Sequence, residues 1–147
     1  MPQYEHTQEG PVHLILYGLA VIFVGIAWYS SGRSMPYVGM LALAGLMILL
    51  ALCFQRLTVR DEGEWLAIRY GPLPLFWRRI PYASITAAEA ARSDWLDGSG
   101  IHYIPGRGLI YNLWGRDCVK LQLGNKKVRI GTNDVEGLLR FIKTRVG

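Results

Sequence analysis

The sequence predicts a membrane α-helical hairpin joined to a small α+β soluble domain, and three observations carry that prediction. From Gly10 to Gly32 no Asp, Glu, Lys or Arg interrupts the chain, and none does from Ser34 to Gln55. Past Leu57 the apolar period drops from that of a helix to two, the mark of strands. From Asn133 the helical period returns, now with a charged outer face. The implied organisation is a short N-terminus over 1–11, a two-helix hairpin over 12–55 and a soluble domain over 56–147.

Length and charge set the scale. Of 147 residues, the hairpin leaves about ninety for one small core. The formal charge is +5, but residues 56–147 carry fifteen Lys and Arg against nine Asp and Glu, so that part alone is +6. A basic domain beside a bilayer is attracted to anionic headgroups. Nucleic acid is not expected as a partner, because the basic residues are scattered rather than clustered. The two cysteines, Cys53 in the second apolar run and Cys118 in an expected strand, make no disulfide framework. Two buried thiols in a reducing compartment are expected.

Met1 to Gly10 has Glu5 and Glu9 but no Lys or Arg, so it lacks the basic start of a secretory signal. The first apolar run therefore reads as a retained helix from about Val12 to Tyr29. The second reads as a helix from about Tyr37 to Phe54. As helices, both runs are long enough for a hydrocarbon core of roughly 30 Å, and a closed helical backbone is the inexpensive way through lipid. Trp28, Tyr29 and Tyr37 gather at the connector, where amphipathic rings favour a membrane–water interface. Gly18 with Gly25, and Gly39 with Ala42 and Leu46, supply small residues on single helix faces for close helix approach. His13 and Tyr17, at i and i+4, read as interface residues. The connector carries only Arg33, whereas Arg56, Arg60, Arg69, Arg78 and Arg79 follow the second run. The positive-inside rule then places both termini in the cytoplasm.

Leu57 and Val59 alternate with Thr58 and Arg60, and Leu66, Ile68 and Tyr70 with Ala67 and Arg69. Around the turn Asp61-Glu62-Gly63-Glu64 these form a β-hairpin. Leu75 to Tyr82 resumes as a strand ending near Pro81. Ser84 to Ala91 is open to helix or strand on propensity. Glycines bracket two further strands, Ile101 to Ile104 and Leu109 to Trp114. Val119-Leu121-Leu123 and Val128-Ile130 make a second hairpin through Gly124-Asn125. The last element is a helix capped by Asn133 with Glu136 three residues on. It turns Val135, Leu138, Leu139, Ile142 and Val146 inward, with Arg140, Lys143 and Arg145 towards its C-terminal end.

The run Gly98-Ser-Gly-Ile-His-Tyr-Ile-Pro-Gly-Arg-Gly-Leu-Ile-Tyr-Asn112, then Gly115-Arg116, Val119-Lys120-Leu121 and Ile130-Gly131-Thr132-Asn133-Asp134, resembles membrane-anchored bacterial pleckstrin-homology (PH) domain proteins. The resemblance implies a PH-like antiparallel β-barrel of about seven strands closed by the C-terminal helix, and a strand for Ser84 to Ala91. It also implies a multi-pass protein of the bacterial cytoplasmic (inner) membrane. The family has no shared catalytic residues to carry over.

The residues themselves offer no catalytic constellation. His6, His13 and His102 lack metal-ligand spacing and cysteine partners, so no metal is expected. No nucleophile elbow and no phosphate-binding loop ending in Lys-Ser or Lys-Thr is present. Gly106-Arg107-Gly108 suggests a phosphate nest, but a tight turn between two strands explains it better, and Asp94 with Asp97 read as solvated loop carboxylates. The suggestive surface is Phe76-Trp77-Arg78-Arg79 with Arg56 and Arg60, where rings can meet the headgroup boundary and guanidinium groups the phosphates. The predicted function is a binding or assembly module, without catalysis or cofactor of its own, acting on another membrane protein or at the lipid surface. The rival is a lipid-facing enzyme or transport accessory subunit, which a deep cleft lined by paired acids or a histidine would favour.

Overall fold

The computed structural model describes residues 3–31, 34–94 and 98–147. Gly32 and Arg33 of the connector, and Asp97, lie outside the described residues. The chain opens with a strand, β1 (Glu5–Glu9), and runs into α1 (Val12–Tyr29) and α2 (Ser34–Cys53). Strands β2 (Arg56–Asp61), β3 (Trp65–Gly71) and β4 (Trp77–Pro81) follow, then a 3-10 turn at Tyr82–Ser84. After it come β5 (Ala87–Arg92), β6 (Gly100–Ile104), β7 (Gly108–Asn112), β8 (Asp117–Leu123), β9 (Lys126–Gly131) and α3 (Val135–Val146).

The strand β1 was not expected, and it changes how the hairpin is attached. It pairs antiparallel with β2 from Glu5↔Arg60 to Glu9↔Arg56. The two helices are therefore inserted between two paired strands, and both of their inner ends leave the same sheet. Gln8 is the buried residue of β1, and its side-chain amide donates to the Trp114 carbonyl. Thr7 and Thr58 share a hydroxyl hydrogen bond of 2.8 Å on the outer face.

The helices meet along a narrow alanine seam. Ala20 and Ala27 on α1, and Ala44 and Ala51 on α2, are buried, each pair seven residues apart. A seven-residue repeat of small side chains keeps one face towards a partner helix. The small-residue faces expected from sequence point elsewhere. Gly18, Gly25 and Gly39 are exposed with open space where a Cβ would stand, and Ala42 and Leu46 are also exposed. Leu14, Ile15, Val21, Ile22, Val38, Leu43, Ile48 and Leu49 turn outward as well. Of the described helices, α1 is long and apolar enough to cross a membrane, whereas the apolar stretch Tyr37–Cys53 of α2 is shorter.

The domain is α+β, but its strands do not close into the expected seven-stranded barrel. Nine strands form two sheets among the described residues, in the orders β1-β2-β3-β4 and β5-β8-β9-β7-β6. The β8–β9 hairpin inserts β9 beside β7, which leaves β7 and β9 parallel, with Leu109 opposite Val128. Along β2 the alternation places Leu57, Val59 and Asp61 inward, beside their cross-strand neighbours Tyr70, Ile68 and Leu66 of β3, on the face that covers the core. From the second sheet come Tyr111, Val119, Leu121, Val128 and Ile130. Each large apolar side chain so buried contributes about 1.5–3 kcal/mol. Tyr70 ties the sheets together, its hydroxyl donating to the Asn112 carbonyl at 3.1 Å. Cys53 and Cys118 are both buried and unpaired with each other.

The C-terminal helix lays Leu138 and Ile142 into this core. Leu139 and Val135 are only half-buried, and Val146 is exposed. Its cap is Asp134 rather than Asn133: the carboxylate accepts from the Gly137 amide at 3.1 Å. The capping carboxylate passes so close to Gly137 that a Cβ there would collide with Oδ2 of Asp134. The helix therefore accepts glycine's propensity cost, up to about 1 kcal/mol, for room at its cap. Asn133 instead meets His6 Nε2 of β1.

Candidate membrane-facing surface and cationic cleft

Two loops surround the points where the helices leave the domain. Gly10, just before α1, touches Trp114: a Cβ at Gly10 would stand 2.7 Å from the Trp114 Cβ, so only glycine fits. At the other helix, the Leu73 amide donates to the Leu52 carbonyl in the last turn of α2, at 3.2 Å. Phe54, one residue past α2, stacks on Phe76 with centroids 5.3 Å apart and meets Tyr70 edge-on at 5.1 Å. His13 Nδ1 lies 2.8 Å from the Gly10 carbonyl, and its ring meets Tyr17 edge-on. The hairpin is thus fastened at both feet by aromatic side chains of the domain.

The six residues singled out in the sequence do not form one patch. Arg56 stands exposed at the foot of β2, opposite Gly71. Phe76 is at the same end, on Phe54. Trp77 lies one step further on, opposite Arg69, and the Arg79 guanidinium sits 5.4 Å from its ring centroid. Arg60 and Arg79 are drawn away from the feet by Glu62. Arg79 Nε donates to Glu62 Oε2 at 2.7 Å, Arg69 pairs with Oε1, and Arg60 Nη2 lies 3.6 Å from Oε1. Glu62 is six residues along from Arg56, or about 20 Å in strand geometry. That exceeds the Debye length of roughly 8–10 Å. Arg78, on the opposite face of β4 from Arg79, turns to a cleft.

That cleft, of about 450 Å³, lies between β4 and the turns of the second sheet. Arg78, Lys126 and Lys127 line it, with Tyr103, Leu109, Leu123 and Val128 as its apolar part and no acidic residue among the described lining. Lys127 Nζ reaches the Gly106 carbonyl at 3.4 Å, and neither Arg78 nor Lys126 has an ion-pair partner among the described residues. Gly106-Arg107-Gly108 forms the tight turn at its rim, with Arg107 turned to Asp94. Chemically the cleft can hold a group that is anionic at one end and apolar at the other. Among the described residues, no three His, Cys, Asp or Glu side chains are placed to hold a metal ion.

A second polar cluster, at the far end of the first sheet, is structural. Asp61, read from the sequence as part of a turn, is buried. It accepts from the Gln3 amide at 3.2 Å, the Tyr82 hydroxyl at 3.0 Å and Arg145 Nη2 at 3.0 Å. Burial alone would raise its pKa, but these donors outweigh it and hold the carboxyl below its ordinary value. Burial, reinforced by Asp61, pushes the Tyr82 phenol well above its ordinary range, and burial with Asp134 does the same to Tyr4. Tyr4 stacks on Phe141 at 5.3 Å, so β1, β2 and α3 are locked together here.

Sequence reasoning missed Trp114, Leu75, Lys126, Lys127 and the Glu62 hub. The run Gly71-Pro-Leu-Pro-Leu-Phe-Trp77 carried a usable signal, since it holds no charged residue although it lies in a loop and strand start. Lys126 and Lys127 follow the Gly124-Asn125 turn, but nothing local brings Arg78 to them. Compared with known proteins, the chain matches no family model and no curated protein.

Proposed function

We propose that this protein is a membrane-tethered binding or assembly module with a PH-like domain, and that it has no catalysis of its own. On this reading α1 and α2 cross a bacterial cytoplasmic membrane as a multi-pass hairpin, and both termini lie in the cytoplasm. The observation that carries the reading is the insertion of an uncharged, outward-apolar helix pair between the paired strands β1 and β2. A water-facing pair of helices with that surface would be driven to associate. Lipid removes the penalty, and the two strand attachments hold the domain at its surface. The cleft at Arg78, Lys126 and Lys127 is then the surface that receives an anionic group, from another membrane protein or from lipid.

The test is site-specific crosslinking in native membranes, with a photoreactive residue at Tyr103, which is exposed at the cleft. Adducts with a membrane protein or a lipid support the module. Adducts with soluble proteins alone, or turnover of a lipid substrate by the purified chain, would replace it with a different function, the latter with the lipid-facing enzyme.

A further inference from the structure

Four of the domain's exposed large apolar side chains lie where the hairpin enters it, whereas Tyr103, Trp65 and Val146 stand apart at the cleft, the far end of β3 and the end of α3. Leu75 is 58% exposed, Trp77 57%, Trp114 49% and Phe76 38%. Pro72 and Pro74 are exposed in the same loop, and no charge falls between Gly71 and Trp77. These residues flank both feet of the hairpin rather than one. Trp114 packs against Gly10 at the start of α1, and Leu73 bonds to Leu52 inside the last turn of α2. The loop therefore overlaps the apolar helix along its axis by part of a turn, which rises about 5.4 Å. Arg56 stands exposed beside this rim.

We propose that Trp114 and the loop Pro72–Phe76 form an interfacial collar that inserts into the headgroup–acyl boundary and fixes the tilt of the domain on the bilayer. The proposal rests on the membrane reading of the hairpin and adds a second lipid contact to it. Its occupant is lipid because the apolar surface is continuous with that of the helices. Proline-rich, uncharged loops and tryptophan suit the interface, where one end of the ring is apolar and its N–H stays wet. Arg56 can reach phosphates from the edge while its stem lies along the apolar rim. In this arrangement Arg60 and Arg79, held at Glu62, take no part in lipid contact.

Full-length chains that keep one tryptophan each, the others replaced by Phe, test this by quenching with lipids brominated high on their acyl chains. In reconstituted vesicles Trp114 should lose most of its emission and shift to the blue. Trp65, at the opposite end of β3, should be unaffected. Trp28, at the connector, should be quenched whatever the collar does. Quenched Trp28 with unquenched Trp114 overturns the collar and leaves the hairpin in place. An unquenched Trp28 removes the membrane reading itself and the collar with it. Should a single-tryptophan chain fail to fold, an environment-sensitive dye on Leu75→Cys reports the same depth. A dye emission matching that in water would likewise overturn the proposal.

Discussion

The hairpin and the domain use the same apolar side chains in opposite ways. In α1 and α2 the buried residues are chiefly alanines, and Leu, Ile and Val face outward. In the sheets and α3 the large side chains Leu57, Ile68, Leu121, Ile130 and Leu138 are fully buried, and Asp61 is the one charged residue buried with them among the described residues. Within the domain, removal of large apolar side chains from water supplies the driving force, and they fill one close-packed core. Between the helices the seam is thin and made of small residues, which is how helices pack when there is no gain from hiding apolar surface. The contrast is what lipid around the hairpin and water around the domain would produce, and it lets each half be perturbed separately.

The largest effect is expected where a charge enters the domain core. Leu138→Asp places an unpaired carboxylate at a fully buried site, costing several kcal/mol, about the stability of a small domain. The full chain in detergent should lose its cooperative thermal transition. The matching change in the hairpin is Ile22→Lys, on an outward face near the middle of α1. A cation there costs about 2.5–3.5 kcal/mol on membrane insertion. Membrane integration, read by alkaline extraction, should fall, yet the domain's transition should persist. If Ile22→Lys is integrated as well as the parent, the outward face of α1 does not meet lipid.

A smaller effect, confined to the domain, is expected at Asp61. Its folded pKa lies below the unfolded value of about 3.9, so its stabilisation is complete above that pH. It is lost as the pH falls through the folded pKa. Asp61→Asn should lower the melting stability by about 1–3 kcal/mol at neutral pH and flatten the loss on acidification. A variant with the parent's acid profile would show that the Gln3, Tyr82 and Arg145 contacts do not support the carboxylate.

The smallest effect belongs to Glu62. Glu62 is only 12% exposed, but its three arginines are 39%, 40% and 48% exposed, and such solvated pairs contribute about 0–1 kcal/mol each, so Glu62→Gln should cost little in moderate salt. It would, however, leave Arg60, Arg69 and Arg79 facing one another. The variant should therefore gain stability from added salt, the reverse of a lost attraction. Melting that ignores salt would dissolve the cluster as an electrostatic unit.

Much of this architecture was legible in the residues. Period-two runs located β2, β3, β8 and β9 to within two residues, and the uncharged runs located both helices. The strand β1 was not legible, because Glu-His-Thr-Gln-Glu has no apolar alternation and pairs through its backbone with a strand beyond the hairpin. The seam had a signal, the spacing of Ala20 with Ala27 and Ala44 with Ala51, but glycines drew attention from it. The arginines could be counted but not placed, since a strand sends Arg78 and Arg79 to opposite faces. Only the fold brings Glu62 to one and Lys126 to the other.

The central claim is that β1 and the sheets lie on one side of a membrane and the connector on the other. Single cysteines at Glu5, Ser31 and Ser99, in a chain with Cys53 and Cys118 replaced, can be probed in intact cells with a membrane-impermeant thiol reagent. The account predicts that Ser31→Cys reacts at once, whereas Glu5→Cys and Ser99→Cys react only after the membrane is opened. Reaction of Glu5→Cys and Ser31→Cys together, with Ser99→Cys protected, would put β1 across the membrane from β2 and contradict the account.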